Sequence, residues 1–174
     1  VLAGLTKLYE RLHLKVNETK TAVAPASRRK FLGYAFWYGS GGQVKCRVAD
    51  KALKTFKQRI RQFTCRSGGR NLTEIAERLR AYMPGWKAYF QLAQTPNVFR
   101  ELDKWIRHRL RAVQLKHWRR GTTMYRELKA LGASETDARQ VAANSRRWWR
   151  NSRLLLNRAL PVAYFDRLGV PRLS

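Results

Sequence analysis

The residues best able to act on another molecule are cations in register. Arg100, Lys104, Arg107 and Arg111 recur at spacings of four, three and four, which puts them on one face of a helix. Lys54, Lys57 and Arg61 form a shorter row of the same kind. Like charges at such spacing repel one another unless something negative lies along the row. The chemistry is neutralisation of phosphates rather than bond making, and a regular row poor in aromatics tracks a backbone without reading bases. A third group, Arg146, Arg147, Arg150 and Arg153, is interleaved with Trp148 and Trp149 and adds flat faces for unstacked bases. Adjacent tryptophans point different ways, so at most one need be core, and the other is free to stack on a base or on a partner. Arg119 and Arg120 complete the expected contact set.

Bond-making groups are poorly represented. The eleven acidic residues are scattered, most of them at helix starts or on solvated faces, with no Asp–Asp or Asp-x-Asp pair to hold two Mg²⁺ ions. Glu135 and Asp137 come closest, and both suit the positive end of a helix. His13, His108 and His117 lack partners at zinc or triad spacing. The latter two share the long basic helix, where a solvated or phosphate-contacting role is expected. "GSGG" lacks the Lys-Ser/Thr of a phosphate-binding loop and reads as a hairpin turn. No catalytic residue, metal ligand or cofactor is expected in this chain.

Composition points the same way. Lys and Arg number 37 against 11 Asp and Glu, a net +26 whose self-repulsion opposes the compact state. A compensating polyanion is therefore expected, nucleic acid first and an anionic membrane surface second. No apolar run approaches the roughly 20 residues that cross a bilayer, and no secretory leader is visible. At 44% hydrophobic with six Trp, the chain is too apolar for a disordered basic tail. Cys46 and Cys65, at no metal-type spacing, read as reduced thiols in a cytoplasmic setting. Val1 already lies inside an amphipathic pattern, which suggests a piece cut from a longer chain.

The elements that must position these residues are mostly helical. Leu2, Leu5, Leu8 and Leu12 predict a helix over 2–12. "HLKV" and "KTAVA" read as short strands around an Asn17–Glu18 turn. Residues 31–38 and 43–48 read as a hairpin turned by Gly39, Gly41 and Gly42, its first strand large on both faces and so expected to be covered on both. Gly33 within it allows close approach of another backbone. Asp50 reads as an N-cap ahead of the stripe Leu53, Phe56, Ile60 and Phe63. A helix through Leu72, Ile75, Leu79 and Tyr82 is expected to break at Pro84–Gly85 before "WKAYFQLA" resumes it. Trp86, Tyr89 and Phe90 would pack between helices there. The longest helix runs from Pro96 to about Trp118, with Phe99, Leu102, Ile106, Leu110 and Val113 buried. Helices over 123–131 and 135–150 follow, with Gly132 ending the first and Ser134 capping the second; "RRWWRNSRLLLNR" continues it. This pair fits a helix-turn-helix or a plain helical hairpin. A final short helix stops at Gly169.

Three stretches carry a family likeness. "LHLKVNETKT" followed by "KFLGYAF" resembles the end of the palm in group II intron-encoded reverse transcriptases. "LRAYMPGWKAYFQLAQTPNVFRELDKWIRHRLR" resembles their maturase-specific domain, or thumb, and is the most specific piece. "YRELKALG…RRWWRNSRLLLNRALPVAYFDRLGVPRLS" is similar to the DNA-binding segment of bacterial forms without an endonuclease domain. The resemblance implies an α+β, mainly α fragment: a palm remnant at 1–49, a helical thumb at 50–120 and a basic helical segment at 121–174. It implies that Phe31, Leu32, Gly33 and Tyr34 correspond to the primer grip, with Gly33 admitting the primer end. Implied partners are group II intron RNA, template–primer or target DNA, and the fingers and remaining palm of the same protein. The Tyr-Ala-Asp-Asp motif of the family is absent here, so Mg²⁺-dependent polymerisation belongs to the intact polymerase, and this chain alone should be inactive. The alternative is a stand-alone basic module, a helix-turn-helix regulator or ribosome-associated protein, with no polymerase parent.

Overall fold

A computed structural model describes residues 2–17, 21, 23–153 and 156–174. It is mostly helical, with one small antiparallel sheet, so the α+β, mainly α expectation holds. Helix α1 (Leu2–Arg11) leads, and its stripe is open: Leu5, Leu8, Tyr9 and Leu12 are all exposed. "HLKV" forms no strand; nor do the described residues of "KTAVA", whose Lys20 and Ala22 lie outside the description, as does Glu18 of the expected turn. After a 3₁₀ turn at Ala26–Arg28 the sheet follows as β1 (Lys30–Phe31), β2 (Tyr34–Tyr38) and β3 (Val44–Val48), in that order.

The expected single strand over 31–38 is therefore two. Leu32 and Gly33 both take positive φ, 47° and 81°, and turn the chain between β1 and β2. Nor is β2 covered on both faces. Only Ala35 is buried, while Trp37 and Tyr38 are exposed.

Helix α2 (Asp50–Phe63) starts one residue earlier than a cap at Asp50 would require. The Ala49 N–H donates to Gly33 O at 2.8 Å, which holds Ala49 extended at the N-cap position. Asp50 instead sits in the first turn and accepts from Arg47 at 3.0 Å. Phe56, Ile60 and Phe63 face the core as their spacing demands.

Helix α3 (Leu72–Tyr89) runs straight through Pro84, against the expected break. A proline in a helix interior removes one backbone bond and costs about 3 kcal/mol. Burial on both sides outweighs it. Leu79 and Met83 are fully buried before it and Phe90 nearly so after it, each large apolar side chain contributing roughly 1.5–3 kcal/mol. Asn71 caps this helix, accepting from the Glu74 N–H at 2.8 Å.

Helix α4 (Pro96–Trp118) has the expected bounds and the expected stripe: Phe99, Leu102, Ile106, Leu110 and Val113 are buried. Helices α5 (Gly121–Ala130) and α6 (Glu135–Ala143) form a close pair. Ser134 caps α6 by accepting from the Asp137 N–H at 3.1 Å, as its sequence position predicts. A Cβ on Gly121 would stand 2.7 Å from Ala142 O, so only glycine lets the two helices approach there.

The expected helix over 135–150 ends at Ala143. Asn144 turns its own amide onto Gln140 O at 3.1 Å, competing with the helix for its backbone. Buried Asn151 then donates to Asn144 O at 2.9 Å and Val141 O at 3.4 Å, satisfying the freed carbonyls. The chain re-enters as short helices α7 (Trp148–Asn151), α8 (Leu156–Ala159) and α9 (Val162–Arg167). Leu154 and Leu155 of the basic block lie outside the described residues.

One apolar cluster joins these elements, from Val48 and Phe56 through Ile106 and Leu110 to Phe165 and Leu173. Among the described residues no helix is long and apolar enough to cross a membrane.

Candidate nucleic-acid interface

The central finding concerns α4, because its cationic row divides. Arg100 and Lys104, near its start, are exposed. Arg107 and Arg111 are 2% and 6% exposed. Burial withdraws the inner two from the exposed row. Arg107 donates to Asp166 and to the carbonyls of Val170 and Pro171, each at 3.3 Å. Arg111 donates from Nε to Leu160 O at 2.8 Å. The rows of a helix packed on one side only can stay wet, but α4 is covered by the chain from residue 160 onward as well as by α3.

That final stretch is gathered by charge. Arg80, on α3, donates to Leu168 O at 3.0 Å and Gly169 O at 3.2 Å. Asp103 accepts from the N–H groups of Leu173, at 3.0 and 3.1 Å, and Ser174, at 2.9 Å. Arg172 pairs with Asp166. This bond, followed by Arg107 nearby, holds the Asp166 carboxyl below the usual carboxylate range. Asp103 and Asp166 are thus fastenings within the fold.

On α2, Lys54 and Arg61 are exposed and Lys57 is half-buried. The structure brings this row beside α4: Lys57 and Trp105 share a shallow groove, and Arg61 lies 5.5 Å from the Trp105 ring centre. Arg109 also lies 5.4 Å from that ring and donates to the Thr64 hydroxyl at 2.6 Å, tying α4 to the end of α2. Arg119 and Arg120 are exposed at the α4–α5 junction, Arg119 with a positive φ of 55°.

In the block after α6, Arg146, Arg147, Arg150 and Arg153 are exposed. The two tryptophans divide as their adjacency requires. Trp148 packs against the core, with Arg66 and Lys116 within 6 Å of its ring. Trp149 is 43% exposed and lies against His108, ring centres 3.7 Å apart. His108 Nε2 is 2.9 Å from Trp149 O, and burial lowers the His108 pKa. His108 is accordingly a packing partner, not a solvated or phosphate-contacting group. Sequence reasoning missed Arg66, Arg109 and Lys116, which have no row to announce them.

The hairpin tip is presented separately. Phe31 and Leu32 are each 65% exposed. Tyr89 donates its hydroxyl to Leu32 O at 2.9 Å, and Tyr34 donates to Tyr89 O at 2.5 Å. These bonds hold Leu32 in its positive-φ conformation. A Cβ on Gly33 would stand 3.2 Å from the Phe90 ring, so the close approach that this glycine permits is to a side chain of its own protein. Trp86 and Phe90 pack as expected, Trp86 against Phe56, Phe90 and Phe99; Tyr89 is 54% exposed and acts through its hydroxyl.

The arrangement supplies cations, a hydrogen-bonded apolar tip and a half-exposed indole. Among the described residues no three His, Cys, Asp or Glu side chains converge as a metal site. No curated protein matches the chain. Residues 53–132, from inside α2 to just past α5, match the family model of the group II intron, maturase-specific domain, which supports reading the chain as a fragment of a group II intron maturase.

Proposed function

We propose that this chain is the nucleic-acid-holding part of a group II intron reverse transcriptase/maturase, binding intron RNA and template–primer or target DNA. The maturase-specific match over residues 53–132 carries the reading. The net charge of +26 supports it, because so large an excess is stabilised by a polyanion. Lys54, Lys57 and Arg61, with Arg100 and Lys104, serve as phosphate contacts beside one another on α2 and α4. Arg119, Arg120 and the block from Arg146 to Arg153 extend the contact surface. Phe31, Leu32, Gly33 and Tyr34 act as the primer grip, a rigid apolar support whose tip is fixed by Tyr89. Splicing and target-primed reverse transcription are roles of the whole protein, with fingers and palm supplying the Mg²⁺-dependent step.

Titration of labelled duplex RNA at two salt concentrations tests the binding. Counterion release requires affinity to fall steeply with salt; unchanged affinity defeats the reading. Primer extension with template, nucleotides and Mg²⁺ tests the second half. No extension is expected from the chain alone, and reproducible synthesis by a homogeneous sample overturns it.

A further inference from the structure

Beside the buried half of the α4 row lies a cleft of about 660 Å³ between α4 and the chain from residue 153 onward. Six lining side chains are cationic, Arg100, Lys104, Arg107, Arg111, Arg153 and Arg172, against two acids, Glu101 and Asp103. Both acids are committed. Glu101 pairs with Lys104 at 2.7 Å, and Asp103 accepts the N–H groups of Leu173 and Ser174. Asp166, which holds Arg107 at 3.3 Å and Arg172, is a further carboxylate bound to lining cations.

Positive charge therefore stays in excess, and some of it is out of water. Among the described residues, Nε and Nη1 of Arg107 are buried without a hydrogen-bond partner. Burial, and then the neighbouring Arg107, push the Arg111 pKa down to about 10. Two guanidiniums side by side in a low-dielectric floor are unfavourable unless an anion offsets them. Above that floor, Arg100 and Arg153 stand exposed, open to a ligand.

We propose that this cleft is a phosphate site, where one phosphodiester of bound RNA leaves bulk solvent. The surface rows hold phosphates through screened, exposed cations; here the anion meets a partly dry, preassembled cluster, where charge pairs are stronger. The identification of the phosphate as RNA backbone rests on the proposed function. The site itself does not.

The test uses the whole chain and two probes. Thermal unfolding is followed in sodium phosphate and in sodium chloride at equal ionic strength, and binding to a labelled RNA duplex is measured in parallel. Wild type is expected to melt higher in phosphate. K104Q/R153Q loses that difference, whereas R78Q/R126Q keeps it, because Arg78 and Arg126 are exposed and lie outside the cleft. K104Q/R153Q also lowers RNA affinity about tenfold and flattens the salt slope by about one unit, for the one phosphate held there. Equal melting of the wild type in the two salts overturns the site. A phosphate effect that K104Q/R153Q abolishes, with RNA affinity and salt slope unchanged, overturns the assignment to RNA backbone and leaves a site for free anions. Absence of RNA binding by the wild type sinks the proposed function instead, and is read separately from the melting data.

Discussion

Arg107 and Arg150 belong to the same residue type in the same basic chain, yet one is 2% exposed and donates to protein carbonyls while the other faces solvent. The difference lies in what covers each helix. The α4 row runs along a helix that the chain returns to cover, so its inner cations satisfy backbone oxygens of Leu160, Val170 and Pro171. The block around α7 lies at the surface, where Trp148 turns inward and its flanking arginines do not. Regular spacing of charge thus identifies a face but not its neighbour. A guanidinium with five N–H groups can bind carbonyls of its own chain as well as phosphates.

The contrast is broken most severely at Arg107. Arg107→Met removes one of the two cationic partners of Asp166 and the donor to two carbonyls, and is expected to lower stability by about 3–5 kcal/mol. Arg150→Gln, on the surface, should stay within about 0.5 kcal/mol. Urea unfolding of both variants measures this. An Arg107→Met protein of unchanged stability with weakened RNA binding would make this arginine a phosphate contact and not a fastening of the fold.

Next in size is Trp86→Ala, which empties the space between Phe56, Phe90 and Phe99 and should cost about 3 kcal/mol. The same unfolding curves report it. Retained stability with lost RNA affinity would reverse its assignment from packing to contact.

Trp149→Ala should leave the fold intact, since the ring is 43% exposed, and weaken single-stranded RNA by roughly 1–3 kcal/mol while sparing duplex. Circular dichroism and paired binding curves separate the outcomes. Equal losses on both substrates in a folded variant would leave this block as another phosphate clamp.

The smallest effect is a pH dependence. Asp166 has its pKa lowered on folding, by the Arg172 bond above all. Its contribution is therefore complete above the unfolded carboxylate value of about 4. It is lost as pH falls from there through the lower folded value. Asp166→Asn should flatten that acid limb in unfolding measured between about pH 5 and 2. A limb of the same slope in the variant assigns it to other carboxylates.

Much of this is legible without the fold. The stripes through Leu53 to Phe63 and Phe99 to Val113, the Pro96 start and the Ser134 cap all follow from periodicity and capping, which are local. Pro84 misleads because its penalty is local while the burial that outweighs it comes from distant elements. The end of α6 depends on Asn151 reaching back to Val141, a partner that no spacing rule names. For the interface, exposure of Arg100 and burial of Arg107 have the same sequence signature. They are distinguished by Asp166, 59 positions beyond Arg107. Tyr89 holding Leu32 across 57 positions is equally invisible to local rules.

The fastening of Arg107 onto Val170 has a consequence for synthesis on the ribosome. The two residues are 63 positions apart. At roughly 5–20 residues per second, Arg107 is made some 3–13 seconds before the carbonyl that accepts from it exists. Throughout that interval the nascent chain carries an uncovered groove with two guanidiniums in it. Any polyanion already at hand can occupy it, and the segment around Val170 must then displace that guest to cover the groove.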